Sequence, residues 1–190
     1  MNAAPKARVD RERVLATASE LANRHGLDQL SMSELALALG IRTPSLYTHV
    51  TGLDELHRLL AIKGLRELDE RLTRAALGKS TDDAIKAAAH AYRQFVHECP
   101  GVYTAMVPTP PADDAEWHQA KDQIMDTLLT VLSGSGLSED EAIHVLRGLR
   151  SLIHGYATME LSGAFKHPVN RDDSFQRVLA IFLAGFRSDR

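Results

Sequence analysis

The sequence has few of the residues that would support a secreted or membrane-bound protein. Its 190 residues include one cysteine, Cys99, which excludes an intrachain disulfide and favours a reducing compartment. No apolar run approaches the roughly 18 residues of a membrane span, and the first residues, MNAAPKARVDRER, lack the apolar segment of a secretory signal. We therefore expect a cytoplasmic protein that does not enter the membrane.

Catalytic and metal-binding patterns are also scarce. His90 and His97 lie seven residues apart on one predicted helical face, but no second cysteine or E-x-x-H pattern completes a ligand set. Cys99, beside Pro100, has no local signature of a nucleophile, and no glycine-rich phosphate-binding loop occurs. The sequence predicts no enzyme, no metal and no cofactor, and leaves open only a metal site built across helices.

Residues 31–50, SMSELALALGIRTPSLYTHV, predict two short helices around a glycine turn. The S-x-x-E pattern at Ser31 is that of a capping box, so a helix should begin there. Gly40 is suited to the left-handed conformation that ends a helix. Thr43 can then cap a second helix with Pro44 at its first position, where a missing N–H has no cost. The result is a helix-turn-helix, the shape that fits a major groove.

The second of these helices has an apolar and a polar side. At 100° per residue, Leu46 and Val50 face the core. The outward and flanking residues are small, polar or aromatic: Thr43, Pro44, Ser45, Tyr47, Thr48 and His49. Hydroxyl and methyl groups can meet base edges, and Tyr and His can bind phosphates. This favours DNA binding, although capped helices and tight turns also occur in purely structural three-helix bundles.

Helical patterns continue on both sides, and signals for β-strands are scarce. Asp10 can cap a first helix that ends at Gly26, and Gly52 precedes a long fourth pattern. The sequence therefore predicts an all-α protein, with an N-terminal three-helix helix-turn-helix DNA-binding domain joined by a fourth helix to a larger C-terminal helical bundle. The predicted boundaries are residues 1–52 for the DNA-binding domain, 53–78 for the connecting helix and 79–190 for the C-terminal domain.

The charge distribution is weak for a protein that binds DNA. The net charge is −3, although residues 1–78 have 11 Lys and Arg against 10 Asp and Glu. Four cations precede or begin the first helix: Lys6, Arg8, Arg11 and Arg13. They could form an arm that reaches the DNA backbone or minor groove, or a solvated tail. Arg42 is the one cation beside the second helix of the motif. We therefore expect a single DNA-binding domain, called the head below, to bind DNA weakly, and two heads to bind one duplex together.

The residues GLDQLSMSELALALGIRTPSLYTHVTGLDEL, from Gly26 to Leu56, resemble without a gap the DNA-binding domain of TetR-family transcriptional regulators. The resemblance implies that the segment from Thr43 to His49 is the recognition helix. The candidate DNA-binding residues are Ser33, Arg42, Thr43, Pro44, Ser45, Tyr47, Thr48 and His49. Two positions depart from the family pattern, because Leu53 stands where many members have a phosphate-binding Lys and Val50 where an aromatic is common.

The resemblance extends to the C-terminal half. It implies that the last two long helices, Ser138–Leu161 and Arg171–Phe186, pair with their copies to form a dimer. Segments around His154 and Gly155 resemble a subtype known by a Trp-His-Gly motif, in which Ile153 here replaces the Trp. By analogy an effector pocket lies between the body helices, and its candidate residues, each of which also fits a plain core, are Tyr92, Phe95, Tyr103, Met106, Trp117, Ile124, His154 and Met159.

These implications predict a ligand-responsive transcriptional regulator. It would bind a near-palindromic operator in double-stranded DNA as a homodimer, act as a repressor, and be released by a small-molecule effector. Its half-sites would lie one or more helical turns apart, with centres roughly 34–36 Å apart per turn. The alternative is a helical protein-interaction or scaffold module with a weak reading head, which Leu53 and the scarcity of cations favour.

Overall fold

A computed structural model describes residues 9–108 and 112–188. All the regular secondary structure in these ranges is α- or 3₁₀-helix, and none of it is β-strand. Its α-helices are α1 Arg11–His25, α2 Met32–Leu39, α3 Thr43–Leu46, α4 Leu53–Ala76, α5 Thr81–Glu98, α6 Pro100–Met106, α7 Ala115–Leu132, α8 Glu139–Leu161 and α9 Arg171–Ser188. The predicted all-α fold is confirmed. Lys6, Arg8 and the side chain of Phe186 lie outside the described residues.

The ends of α1 and α2 follow their sequence signals. Asp10 Oδ1 accepts a hydrogen bond from the N–H of Arg13 at 2.8 Å, and Ser31 Oγ accepts one from the N–H of Glu34 at 3.2 Å. Each bond satisfies one of the N–H groups that a helix start leaves unpaired. Gly40 takes the left-handed conformation, with φ 68°, and ends α2.

Two details of the predicted caps are wrong. The N-cap of α3 is Arg42 rather than Thr43, because the N–H of Ser45 donates to the Arg42 carbonyl at 2.8 Å and the helical turn begins one residue earlier. The side chain of Glu34 does not complete the capping box. Its carboxylate lies 2.9 Å from Nδ1 of His25, at the end of α1.

The described residues pack as two compact units. The first takes in the described residues up to Arg66 together with Glu98–Ala120, and the second takes in Glu67–His97 and the described residues from Lys121 onward. This division differs from the predicted boundaries after residues 52 and 78, because α6 packs on α1 and the division runs through α4. The assignment of functions to residues 1–52, 53–78 and 79–190 stays a prediction.

In the first unit, α6 is held directly against α1. Asn23 Oδ1 accepts hydrogen bonds from the N–H groups of Gly101 and Val102, both at 3.0 Å. A Cβ on Gly101 would overlap the backbone carbonyl of Ala22. The helical pattern is interrupted after Glu98, and Pro100 is the first residue of the separate helix α6. The side chain that caps this helix comes from α1.

A charged contact joins α4 to the start of α7 in the same unit. Arg58 donates from Nε and Nη2 to the two carboxylate oxygens of Asp114, at 2.6 Å each, and from Nη2 to Glu116 at 3.1 Å. Asp114 also accepts from the N–H of Trp117 at 3.2 Å. Hydrogen bonding to the Arg58 guanidinium is the main reason that the pKa of Asp114 lies below its usual value of 3.8.

The second unit contains a polar network within an apolar core. Arg93 donates to both carboxylate oxygens of the buried Glu160, at 2.5 and 2.7 Å, and to Asp172 at 2.8 Å. His97 Nε2 lies 2.9 Å from Glu160, and the Arg93 guanidinium lies 4.8 Å from the ring centroid of Phe175. The network thereby joins α5, α8 and α9. The fully buried apolar side chains of this unit include Ile85, Phe95, Ile153, Phe175 and Leu179.

The last two helices match their predicted ranges closely. Ser138 is the N-cap of α8, and Ser138 and Glu141 form the capping box that the sequence predicts. Where α8 meets α9, Gly148 leaves room for Phe182, because a Cβ there would lie 2.8 Å from that ring. The opposite side of α9 exposes Ile181, which is 72% exposed. Within the described residues, no helix combines the length and hydropathy of a bilayer span.

Candidate nucleic-acid interface

The helices α2 and α3 are joined by a short turn that fixes their relative position. The N–H of Gly40 donates to the carbonyl of Leu37 at 3.1 Å, and the N–H of Ile41 donates to that of Ala36 at 3.0 Å. These bonds pair carbonyls that the end of α2 would otherwise leave free. On either side of the turn the apolar residues Leu35, Leu39, Leu46 and Val50 are buried. The motif is therefore anchored from its inner side.

The outer side of α3 is the one that the sequence predicts. Pro44, Ser45 and Thr48 are exposed, and the side chain of Tyr47 is 55% exposed. Among the remaining candidate residues, Ser33 and Arg42 are exposed, and Thr43 and His49 are half-buried. The predicted division of the helix into inner and outer residues is confirmed. That these residues bind DNA stays a prediction.

The helix itself is shorter than the resemblance implies. Regular helix ends at Leu46 instead of His49, and the Leu46 carbonyl accepts from the N–H groups of both His49, at 2.8 Å, and Val50, at 3.1 Å. The chain continues as a tight turn in which Thr48 Oγ1 donates to the carbonyl of Ser45 at 2.8 Å. The hydroxyl hydrogen of Thr48 is thus already used within the motif.

The start of α4 is linked to the start of α1. Glu55 accepts a hydrogen bond from the N–H of Thr51, and Arg11 Nη2 lies 3.1 Å from the same carboxylate. The bond from Thr51 is the main reason that the pKa of Glu55 lies below its usual value of 4.5. Sequence reasoning missed this contact, since 44 residues separate its partners and no local pattern indicates it. Arg11 is therefore engaged within the protein, and an N-terminal DNA-binding arm stays a prediction.

The candidate pocket residues divide between the two units. Those of the first unit are Tyr103, Met106 and Trp117, and those of the second are Tyr92, Phe95, Ile124, His154 and Met159. All three residues of the first unit are buried, as are Tyr92 and Phe95 of the second. Ile124 and His154 are half-buried, and Met159 is 47% exposed. Two of them have close neighbours in the structure, because Met106 occupies the space beside Gly64 and the Arg71 guanidinium lies 5.3 Å from the Phe95 ring centroid. Their role in ligand binding stays a prediction.

The histidines that suggested a metal site have other neighbours. His97 pairs with Glu160, and the His90 ring lies edge-on to Phe175 with 5.2 Å between centroids. Burial, and then the nearby charge of Arg93, lower the pKa of His90 below its usual value of 6.5. Across residues 9–108 and 112–188, no three His, Cys, Asp or Glu side chains form a group that could hold a metal ion.

Two family models match this chain. The model described as bacterial regulatory proteins of the tetR family matches residues 14–67, which include the whole α2–α3 motif. The model described as a tetracyclin repressor-like C-terminal domain matches residues 85–182. Together they span both the predicted DNA-binding domain and most of the C-terminal half.

A curated relative and two solved structures are similar over nearly the whole chain. The relative is YobS of Bacillus subtilis strain 168, named as an uncharacterised helix-turn-helix-type transcriptional regulator. It is 31% identical over 182 residues, which are 95% of this chain and 94% of the relative.

The first structure is a protein of unknown function from Rhodococcus sp. RHA1, with a TM-score of 0.82, 21% identity, and coverage of 96% of this chain and 98% of that chain. The second is a TetR variant from Acinetobacter baumannii AYE in complex with minocycline, with a TM-score of 0.73, 24% identity, and coverage of 96% and 99%. At these identities the structures show a shared fold.

Proposed function

Since the chain belongs to the TetR family of helix-turn-helix transcriptional regulators, and is therefore not an enzyme, we propose that it is a ligand-responsive repressor that binds its operator as a homodimer. The operator is a near-palindrome in double-stranded DNA, with half-sites one or more helical turns apart. A small molecule releases the protein from this DNA. The regulator acts in the cytoplasm, where its operator is found.

The observation that carries the proposal is the outer surface of the α2–α3 motif. Four consecutive or nearly consecutive residues, Pro44, Ser45, Tyr47 and Thr48, are exposed on a segment whose other side is buried through Leu46. A short, rigidly anchored helix with small outward side chains can approach base edges closely. The Tyr47 and His49 side chains are suited to phosphate contacts, which position a protein on the duplex.

Dimerisation supplies affinity that one head lacks. Arg42 is the cation adjoining α3, so a single motif neutralises few phosphates. Two motifs on one duplex act together and can exceed the affinity of either by orders of magnitude. The proposed dimer surface is formed by α8 and α9, where Ile181 exposes an apolar side chain. In the proposed dimer, α8 and α9 of one copy pack against α8 and α9 of the other and form a four-helix bundle.

Release by a small molecule requires that the molecule bind the two states of the dimer with different affinity. To move an equilibrium from 1:99 to 99:1, this difference must be about 5.5 kcal/mol. The complex of the similar A. baumannii protein with minocycline supports an organic effector for this chain as well. The eight candidate residues named above are the first to vary in a search for the effector site.

The test is fluorescence anisotropy of the purified protein on DNA flanking its own gene, with scrambled DNA as competitor and at several salt concentrations. Binding in the range of about 10 nM or tighter, resistant to competitor and falling linearly with log salt, is the expected result. If the affinity for flanking and scrambled DNA is equal, the operator lies elsewhere and is sought by selecting the duplexes that the protein binds from a library of random sequences. If that selection also yields no preferred sequence, the proposed function is wrong.

Two substitutions separate a regulator from a scaffold module. Tyr47→Phe removes one hydroxyl from the exposed surface, and Thr48→Ala removes a methyl and a hydroxyl. Each should weaken operator binding by about 5- to 20-fold, which corresponds to about 1–2 kcal/mol, without changing the mass of the dimer. A scaffold module would be indifferent to both.

A further inference from the structure

The exposed surface of the α3 segment contains none of the side chains that make bidentate contacts to bases. From Thr43 to His49 its sequence is TPSLYTH, without Arg, Lys, Asn or Gln. Arg and Lys are the usual partners of guanine, and Asn and Gln those of adenine. Apart from Arg42, the exposed N-cap of α3, the contacts available to this segment are single hydrogen bonds and apolar contacts. Among the apolar contacts, the one that identifies a base is contact with the thymine 5-methyl group.

Thr48 has the group and the exposure for such a contact. Its Oγ1 donates to the Ser45 carbonyl at 2.8 Å, so the hydroxyl is directed at the backbone of its own segment. The hydroxyl can then only accept a further hydrogen bond, and the γ-methyl group is the part of this exposed side chain that can make an apolar contact with a base edge. Pro44, at the start of the same segment, is also exposed and apolar.

We propose that Thr48 is a specificity-determining residue that reads thymine, through contact between its γ-methyl group and the 5-methyl group of the base. The inference rests on the proposed function and adds the chemistry of one operator position. The internal hydrogen bond fixes the χ1 angle of Thr48, so the methyl group is held in place before DNA binds. Reading by a fixed methyl group loses less side-chain entropy than reading by a long flexible side chain.

The experiment uses the full-length protein and a duplex library with 30 random base pairs. The sequence selected from it is resynthesised with each thymine replaced singly by deoxyuridine, which removes only the 5-methyl group. At one position in each half-site the replacement should weaken binding by about fourfold, as expected for one buried methyl group. Replacements elsewhere in the site should have smaller effects.

Two matched variants assign this effect to Thr48. Thr48→Ser keeps the hydroxyl and its bond to Ser45 but lacks the methyl group, so it should bind the thymine and deoxyuridine duplexes equally at that position. Thr48→Val keeps a methyl group and lacks the hydroxyl, so it should retain part or all of the preference for thymine. Circular dichroism and the mass of each variant in solution establish that both are folded like the wild type.

The outcomes distinguish this inference from the function on which it rests. A preference for thymine that Thr48→Ser loses supports the inference. If a tightly bound sequence is selected but no deoxyuridine replacement weakens it, or Thr48→Ser keeps the whole preference, the inference is wrong and the proposed function stands. If no sequence is selected over scrambled DNA, the proposed function fails and the inference fails with it.

Discussion

At Gly101 the backbone of α6 lies against the backbone of α1. A Cβ at this position would overlap the Ala22 carbonyl and come within 2.7 Å of the Asn23 nitrogen, and backbone atoms cannot move aside as the end of a side chain can. We expect Gly101→Ala to lower the free energy of unfolding by about 2–4 kcal/mol. Urea unfolding followed by circular dichroism measures this loss.

Gly52→Ala is the control for this prediction, because it lies in the same packing unit and its added Cβ has no atom within 4 Å. Its unfolding free energy should stay within about 1 kcal/mol of the wild type. Equal effects of the two substitutions would contradict the close approach of α6 to α1.

The hydrogen bonds that Asn23 accepts from α6 allow a second test of the contact between α1 and α6. Its side-chain oxygen accepts from two N–H groups in the first turn of α6, which Asn23→Ala would leave unpaired. We expect that variant to lose about 1–3 kcal/mol of unfolding free energy. Asn23→Asp should lose much less, since a carboxylate accepts both bonds and is favoured at a helix N-terminus. Comparable losses for both variants in thermal and urea unfolding would count against the cap.

At the scale of elements, the network of Arg93 connects three helices through two acids that differ in burial. The Glu160 side chain is 2% exposed and the Asp172 side chain is 73% exposed. Removing one partner of a buried pair leaves a buried charge uncompensated, whereas an exposed pair is screened by water. We expect Glu160→Gln to lower the free energy of unfolding by about 3 kcal/mol at pH 7. Asp172→Asn, the matched control, should lower it by less than about 1 kcal/mol.

The effect of Glu160 should depend on pH. Burial alone would raise the pKa of Glu160, but hydrogen bonds from Arg93 and His97 outweigh it and hold the pKa below its usual value of 4.5. A carboxyl group with a lowered pKa stabilises the folded state above its unfolded pKa, and this contribution is lost as the pH falls through the lowered value. The difference between wild type and Glu160→Gln in urea unfolding should therefore shrink below about pH 4.5. A difference that is constant from pH 7 to pH 3 would contradict this.

Most helix ends could be predicted because their signals are local. Asp10, Ser31, Gly40 and Ser138 act on backbone groups within a few residues, and each does so in the structure. The start of α6 could not be predicted in this way. Its first N–H groups are satisfied by Asn23, 78 and 79 residues earlier in the chain, so the local pattern suggests only an interruption.

The candidate interface could also be predicted only in part from the sequence. Helical periodicity identifies the buried Leu46 and Val50 and therefore the exposed residues between them. Periodicity assumes a regular helix, however, and cannot indicate that α3 ends at Leu46 or that Thr48 bonds to the Ser45 carbonyl. These details depend on the competition of individual hydrogen bonds in one turn, and they decide which atoms this segment exposes.

At the scale of the whole molecule, the proposed dimer can be tested on α9. Ile181 is 72% exposed, and burying it between two copies would remove apolar surface from water. In Ile181→Glu each copy would bring an unpaired carboxylate into the shared surface, at a cost of several kcal/mol. We expect this variant to be a folded monomer by sedimentation equilibrium and circular dichroism, with operator affinity reduced at least tenfold.

The matched control is Leu77→Glu, which changes another exposed apolar residue, 77% exposed, outside α8 and α9. It should leave the mass in solution at that of the wild type. A monomeric wild type, or an Ile181→Glu protein with unchanged mass, would contradict the proposed dimer surface.

Neither packing unit is a single stretch of chain, and this limits how the protein can be recombined with its relatives. A chimera joined after residue 78 would take the helix-turn-helix from one parent and Glu98–Ala120 from the other, so α1 would meet a foreign α6. The contact at Gly101 has no tolerance for a larger residue, and Asn23 must find its two amide partners. A chimera that keeps the contact between α1 and α6 must therefore carry Glu98–Ala120 along with the helix-turn-helix.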